Sequence, residues 1–289
     1  MTDNLVGAVP DDNLGIVEDV ARRLRKEKGF PERIKLFLAG KLQPAEGVKI
    51  IPRPFAKLDR MLSRRFGERI YVNPYPKEFT PEFLANAVKY NMRPVFWPGK
   101  DMIPDLRLKK WIMPNAWFYN QVFAGKIKSH GDLSPTKLQR GWYLADFTIG
   151  ADYTDGTQVF IDDPFAPIIA KLREQKLVGK YDNTPVGSRF SIARNEWQDC
   201  VLAHIASALN VTRSQIRLER AIEFNAIGNL YDPNRGKFKM WEWFADHFGG
   251  SGRLVGGSRG VGGLAGVCCV WFCDWNDDIA ARPLVSFVS

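Results

Sequence analysis

The chain is poor in the residues that usually announce chemistry. Of 289 residues, three are histidines and four are cysteines. His130, His204 and His247 are scattered, and no nucleophile–base pair is legible. His204 lies in an apolar helical run and reads as structural, and Cys200 sits in a similar run and reads as core. Cys268, Cys269 and Cys273 fall close together, but vicinal Cys268 and Cys269 lack the two-residue spacing of a zinc site. A disulfide scaffold, a metal and a cofactor are therefore not expected. No apolar run reaches the roughly 18 residues of a membrane span. The first residues, Met-Thr-Asp-Asn-Leu-Val-Gly, lack the basic start and apolar core of a secretory signal. Zinc-finger, RNP-like and phosphate-loop motifs are missing as well.

What the chain does have is apolar mass and positive charge. It is 45% hydrophobic with a net charge of +9. That suffices for one large domain or two small ones. Much of the charge lies early, in Arg22-Arg23-Leu24-Arg25-Lys26, Arg64-Arg65 and Arg107-Leu108-Lys109-Lys110. Such clusters can follow phosphates, yet without a nucleic-acid motif they read as solvated helix faces. Nucleic acid is not an expected partner.

Helix and strand signals alternate through residues 1–104, punctuated by prolines. Residues 15–28 place Ile16, Val20, Ala21 and Leu24 at helical spacing, and residues 54–66 do the same with Phe55, Leu58, Met61 and Leu62. Thr80-Pro81-Glu82 is an N-cap, a first-turn proline and an acid favoured by the helix dipole. Arg69–Val72 and Pro94–Trp97 are β-prone. The segment reads as an α/β module or extension, with a second domain expected over 105–289.

In that second region Trp142–Ile149 is an expected strand. Tyr153-Thr-Asp-Gly-Thr is a turn, and Gln158–Ile161 is an expected return strand. A helix is expected from Asp162-Asp163-Pro164 to about Lys176, with Phe165, Ile168, Ile169 and Leu172 inward. Asn195 is the expected cap of a helix burying Trp197, Val201, Leu202 and Ile205. Thr212-Arg-Ser-Gln215 is a capping box for another, carrying Leu218, Ala221, Ile222 and Phe224. The dense aromatics of Trp241-Glu-Trp243-Phe244 read as core.

After Gly249 the chain becomes glycine-rich and short-stranded, with strands expected at Arg253–Val255, Ala265–Val270 and Pro283–Phe287. Between them lie vicinal cysteines, a clump of acids and two tryptophans. A catalytic loop is usually chemically coherent. This mixture points to a surface selected for variation.

Two segments carry a resemblance. Arg217-Leu-Glu-Arg-Ala-Ile-Glu-Phe224 looks like the second helix of the C-type-lectin fold, as used in formylglycine-generating-enzyme-like domains. Gly256-Gly-Ser258 followed by Ile279-Ala-Ala-Arg-Pro-Leu-Val285 looks like its terminal strands. Together with Trp-Glu-Trp-Phe at 241–244, the pattern resembles variable proteins of archaeal-type diversity-generating retroelements. It covers roughly residues 140–289.

The resemblance implies an α+β fold of C-type-lectin type, with helices packed on a small, mainly antiparallel sheet. It implies a ligand-binding receptor or attachment protein, not an enzyme, whose variable region spans about 253–279. In that family a mutagenic reverse transcriptase rewrites adenines in the coding repeat. Asn-type codons, with adenine at the first two positions, then yield many residues, but never Lys, Glu, Gln, Met or Trp. Residues 256–278 contain none of the first four. Trp271 and Trp275 therefore belong to the constant part, with Gly256, Gly257, Gly262, Gly263, Ala265, Gly266 and Val267. The expected ligand-contacting, varied positions are Arg259, Gly260, Val261, Cys268, Cys269, Phe272, Cys273, Asp274, Asn276 and Asp277. The partner is expected to be a protein or surface receptor, met at a virion or cell surface. The same resemblance leaves a formylglycine-generating-enzyme-like oxidoreductase as an alternative, and the basic clusters leave a second, a basic nucleic-acid-binding protein. Trp275-Asn276-Asp277 also resembles the calcium strand of sugar-binding lectins, but the companion Glu-Pro-Asn loop is missing and too few oxygens lie nearby for calcium.

Overall fold

The computed structural model describes residues 55–106, 108, 110–129, 133–271 and 276–287. The helix expected at 15–28 lies outside them. The chain divides into two compact units, Met1–Arg64 with Glu68–Pro74 and Arg65–Gly67 with Tyr75–Ser289.

The apolar spacing of residues 55–62 produces helix α1, Ala56–Phe66. The β-prone segment after it forms no strand among the described residues. Its amides are bound by side chains of α1: Val72 N donates to Asp59 Oδ1 at 2.7 Å and Ile70 N donates to Ser63 Oγ at 2.8 Å. Donors already satisfied this way have no call on a ladder.

The second unit is mixed α+β, with two mainly antiparallel sheets. Thr80 caps α2, Pro81–Lys89, accepting from Phe83 N at 3.2 Å, and Pro81 fills the first turn as expected. Strand β1, Met92–Trp97, runs antiparallel to β3, Gly141–Asp146. Residues 92–97 thus share a sheet with β9, the last strand among the described residues. Pro94 is tolerated because β1 is an edge strand.

The first sheet has the order β1-β3-β9-β4, where β4 is Ile216–Leu218 and β9 is Pro283–Ser286. The second has the order β2-β5-β6-β7: Ile127–Lys128, Trp241–Phe248, Gly252–Gly256 and Val267–Trp271. Strand β8, Ile279–Ala281, joins β5 in parallel. Only Arg282 separates β8 from β9, so the chain changes sheets at that residue. Leu284 and Val285 are fully buried between β3 and β4.

The helices are α3 Ala116–Phe123, α4 Ala166–Glu174, α5 Arg194–Glu196, α6 Leu202–Leu209 and α7 Ala221–Leu230. A π-helical turn, Trp197–Val201, joins α5 to α6. Phe224 of α7 packs with Phe118, Phe244, Leu254 and Val267 in an apolar cluster under the second sheet.

Several sequence expectations are corrected here. The Thr212 box opens one 3-10 turn, Arg213–Gln215, after which residues 216–218 pair with β9 instead of continuing a helix. Gln215 satisfies the Thr212 amide locally at 2.9 Å, and the sheet then captures the next residues. The helix carrying Ala221, Ile222 and Phe224 starts instead at Ala221, where Arg220 N donates to Glu223 at 2.9 Å. The Arg217–Phe224 motif is thus strand, then helix. Ala193, not Asn195, precedes the first turn of α5, and Glu196 accepts from its amide at 2.9 Å. Gln158–Ile161 makes only one bridge, between Ile161 and Ile149, because Gln158 turns inward to accept from Thr154 and Gly156 amides. Cys200 is only half-buried, and His204, one turn on, is exposed with Nδ1 3.1 Å from the Cys200 carbonyl. Both lie off the stripe of Val201, Leu202, Ile205 and Leu209.

Candidate ligand-binding surface

The segment of mixed composition begins on β6 and returns on β7. The register runs from Gly252 opposite Trp271 to Gly256 opposite Val267. Strand alternation then sorts the side chains. Cys269 lies opposite Leu254 and packs against the Phe118–Phe224–Phe244 cluster. Cys268 lies opposite Val255 on the other face, which is also the face of Arg253 and Val270. The two cysteines expected to vary together therefore have different surroundings: Cys269 leans on the Phe118–Phe224–Phe244 cluster, and Cys268 shares the opposite face with Val255 and Trp243. Burial, with Cys269 and Asp278 nearby, pushes the Cys268 thiol up to about 11. Burial raises Cys269 as well. Neither thiol is poised as a nucleophile at neutral pH.

Residues 257–266 join the strands through two 3-10 turns, Arg259–Val261 and Gly263–Ala265. The second turn is tied down from three directions. Asn115 N donates to Ala265 O at 2.9 Å, Asn115 Nδ2 to Val267 O at 2.9 Å, and Asn225 Nδ2 to Leu264 O at 3.0 Å. Leu264 sinks into the core cluster. The first turn stands out from this base. Arg259, Gly260 and Val261 are exposed, and Arg259 meets Asp152 at 3.4 Å in an ion pair half open to solvent. Such a pair contributes little stability.

The glycines divide in the same way. A Cβ on Gly256 would stand 2.4 Å from Gly266 O and 2.7 Å from Phe244 Cε2. Gly263 has a φ of +57°, and a Cβ there would stand 2.5 Å from the Gly236 carbonyl oxygen. At Gly260 the nearest atom is Ser258 Oγ at 4.0 Å, and its φ is not in the left-handed region. Of the glycines assigned to the constant part, Gly256 and Gly263 are sterically required. The one assigned to the variable part has room for a side chain.

Beyond β7, Asn276 and Asp277 are half-buried and lie beside the loop at 152–158. Tyr153 Oη donates to Asp277 Oδ2 at 2.9 Å, which raises the Tyr153 pKa. Gln158 Nε2 donates to the Asp277 carbonyl, and Ser191 N to the Asn276 carbonyl at 3.0 Å. Burial, followed by the charge of Asp277, pushes the Asp278 carboxyl up. Phe272, Cys273, Asp274 and Trp275 lie outside the described residues, and Trp271 is placed only as backbone of β7. Among the described residues no group of three or more His, Cys, Asp or Glu is positioned to hold a metal ion. No helix among them is long and apolar enough to cross a membrane.

Sequence reasoning missed the buried ionic layer that supports this surface. Arg189 pairs with Asp146 and, at 2.7 Å, with Asp163. Arg235 pairs with Glu219 at 2.7 Å, and Arg282 with Glu242 at 3.0 Å. Arg217 and Arg220 both hold Glu223, at 2.6 and 3.0 Å. Phe160 lies under the guanidinium groups of both Arg189 and Arg282, each 4.6 Å from its ring centre. The available signal was Arg282 itself, a charge set in the otherwise apolar run Ile279–Val285. These arginines face internal carboxylates and add nothing to an outer basic patch. No protein-family model, curated protein or solved structure matches this chain.

Proposed function

We propose that this protein binds a macromolecular ligand through a diversified C-terminal surface, as a retroelement variable protein with a scaffold of C-type-lectin type. The observation that carries the reading is the division of the glycines. Gly256 and Gly263, assigned with the resemblance to the constant part, leave no space for a Cβ, whereas Gly260, assigned to the variable part, does. The exposed turn Arg259–Val261 is held on a buried base by Asn115, Asn225 and Leu264. Side chains on that turn can change while the core stays as it is, which separates recognition from stability. An apolar Val261 beside a charged Arg259 supplies the mixed contacts usual at protein interfaces.

The test is genetic. A near-copy of the 3′ coding segment, differing mainly at adenines and lying beside a reverse-transcriptase gene, is the expected finding. Sister loci should vary at Arg259, Gly260, Val261, Cys268, Asn276 and Asp277 and keep Gly256 and Gly263. Sister loci that vary equally at Gly256, or the absence of any such repeat, would overturn the proposal.

A further inference from the structure

Phe160 fixes the outward direction of its two neighbours. Its buried ring packs with Phe190, Met240 and Ala280, under the guanidinium groups of Arg189 and Arg282. Side chains of an extended chain alternate, so Val159 and Ile161 point away from that cluster, and they are 46% and 52% exposed. Ile161 N donates to Ile149 O at 3.0 Å, and the two residues form an antiparallel bridge. Residues opposite one another in such a pair share a face, which puts Ile149, 42% exposed, beside Ile161. Single exposed apolar side chains are ordinary, but three on one face of a two-stranded ribbon make a patch.

The ribbon is tied down before any partner arrives. Gln158 accepts from the amides of Thr154 and Gly156. Ser188 Oγ donates to Gln158 O at 2.8 Å, and Asn183 Nδ2 donates to Asp155 O. A surface already ordered loses little entropy on binding. The ribbon also adjoins the positions assigned to variation. Asp152 meets Arg259 at 3.4 Å, exposed Tyr153 donates to Asp277 Oδ2 at 2.9 Å, and Gln158 Nε2 donates to the Asp277 carbonyl.

Its charge is opposite to that of the chain. Residues 149–163 contain four aspartates and no lysine or arginine, in a protein of net charge +9. Asp163 turns inward to Arg189, while Asp152, Asp155 and Asp162 are exposed. Arg259 and Lys239, whose amide donates to Asp152 at 2.7 Å, offset part of this charge. A rim of carboxylates disfavours nucleic acid and anionic lipid, and complements a protein segment in which lysine or arginine flanks apolar side chains.

We infer that the outer face of this ribbon, Ile149, Val159 and Ile161 with its aspartate rim, is a constant contact surface for the protein ligand of the diversified turn, and that the ligand segment it takes is basic and apolar. The inference rests on the reading of residues 253–279 as a binding surface. The ribbon would supply affinity common to all variants, and the turn beside it the choice among ligands.

Methyl NMR of the full chain, labelled at isoleucine and titrated with short synthetic peptides, tests this. The probes alternate lysine with leucine, lysine with serine, or glutamate with leucine. Saturable shifts of the Ile149 and Ile161 methyl signals are expected with the lysine–leucine peptide, at least about tenfold tighter than with the other two. Val159→Thr with Ile161→Thr, both exposed, should weaken that binding about tenfold, read at Ile149. Asp155→Asn with Asp162→Asn should weaken it a few-fold and flatten its salt dependence. Asparagine tolerates the positive φ of both sites, +47° and +49°. No shift, an equal response to the glutamate–leucine or lysine–serine peptide, or unchanged affinity in either double variant would overturn the inference. Shifts that follow protein concentration without peptide would overturn it too, by naming a second copy of the chain as the occupant. No shift despite a coding repeat at the locus would overturn this inference alone, whereas a missing repeat overturns the reading beneath it.

Discussion

Replacing Gly263 with alanine should cost far more than the same change at Gly260, three residues away. The chain at Gly263 has φ +57°, where a Cβ-bearing residue loses about 1–2 kcal/mol. The added Cβ would also lie 2.5 Å from the carbonyl oxygen of Gly236, a backbone atom that cannot swing aside. Overpacking of that kind costs about 1–3 kcal/mol. The two together give about 2–5 kcal/mol, a fall in melting temperature of roughly 5–15 °C for a unit of this size. Gly260 has neither obstacle, and Gly260→Ala should stay within about 0.5 kcal/mol of the parent. Urea or thermal unfolding of both variants, followed by tryptophan fluorescence, measures the difference. Equal losses would show that the Arg259–Val261 turn is part of the packed base, and the separation of recognition from stability would fail with it.

Acid should weaken the fold through its buried carboxylates. Burial raises Asp146 and Glu223, but the guanidinium groups beside them prevail and hold both near about 2. A folded pKa below the unfolded one gives stability that is complete above the unfolded values, 3.8 and 4.5, and is lost as pH falls toward 2. Urea midpoints should therefore drop steeply between about pH 4.5 and 2, and a flat profile there would contradict the paired geometry. Asp146→Asn, which leaves Arg189 with Asp163 as its carboxylate partner, should cost about 1–3 kcal/mol in the same assay. Iodoacetamide at pH 8 should label Cys268 in the folded protein many times more slowly than in urea, since its thiol sits near 11, and mass spectrometry of the labelled peptide checks this.

Much of the local structure was legible because its causes are local. Thr80 caps α2 through an amide three residues on. The apolar spacing of residues 56–66 and 202–209 makes helices with the expected inward stripes. The end of β6, the body of β7, and β9 follow from short β-prone runs between glycines and acids. The resemblance assigned Gly263 to the constant part and Gly260 to the variable part before any packing was seen. Where expectation failed, a distant partner had intervened. Asp59 and Ser63 took the amides of the Arg69–Val72 segment, and β9, some seventy residues downstream, drew Ile216–Leu218 into a sheet.

The sequence by itself determined an α+β chain with a capped N-terminal helix, a glycine-rich strand pair near its end, and a segment with no coherent catalytic chemistry. Tertiary structure alone decided which glycines have no room, that Cys268 and Cys269 belong to opposite faces, and that the seven-residue run at 279–285 bridges two sheets at Arg282. It alone showed that Arg194 is buried with no carboxylate paired to it among the described residues. The reason is range. Helix and turn preferences act over three or four residues, but steric exclusion and charge pairing act between atoms close in space and far apart in the chain, such as Gly263 with Gly236 and Arg282 with Glu242.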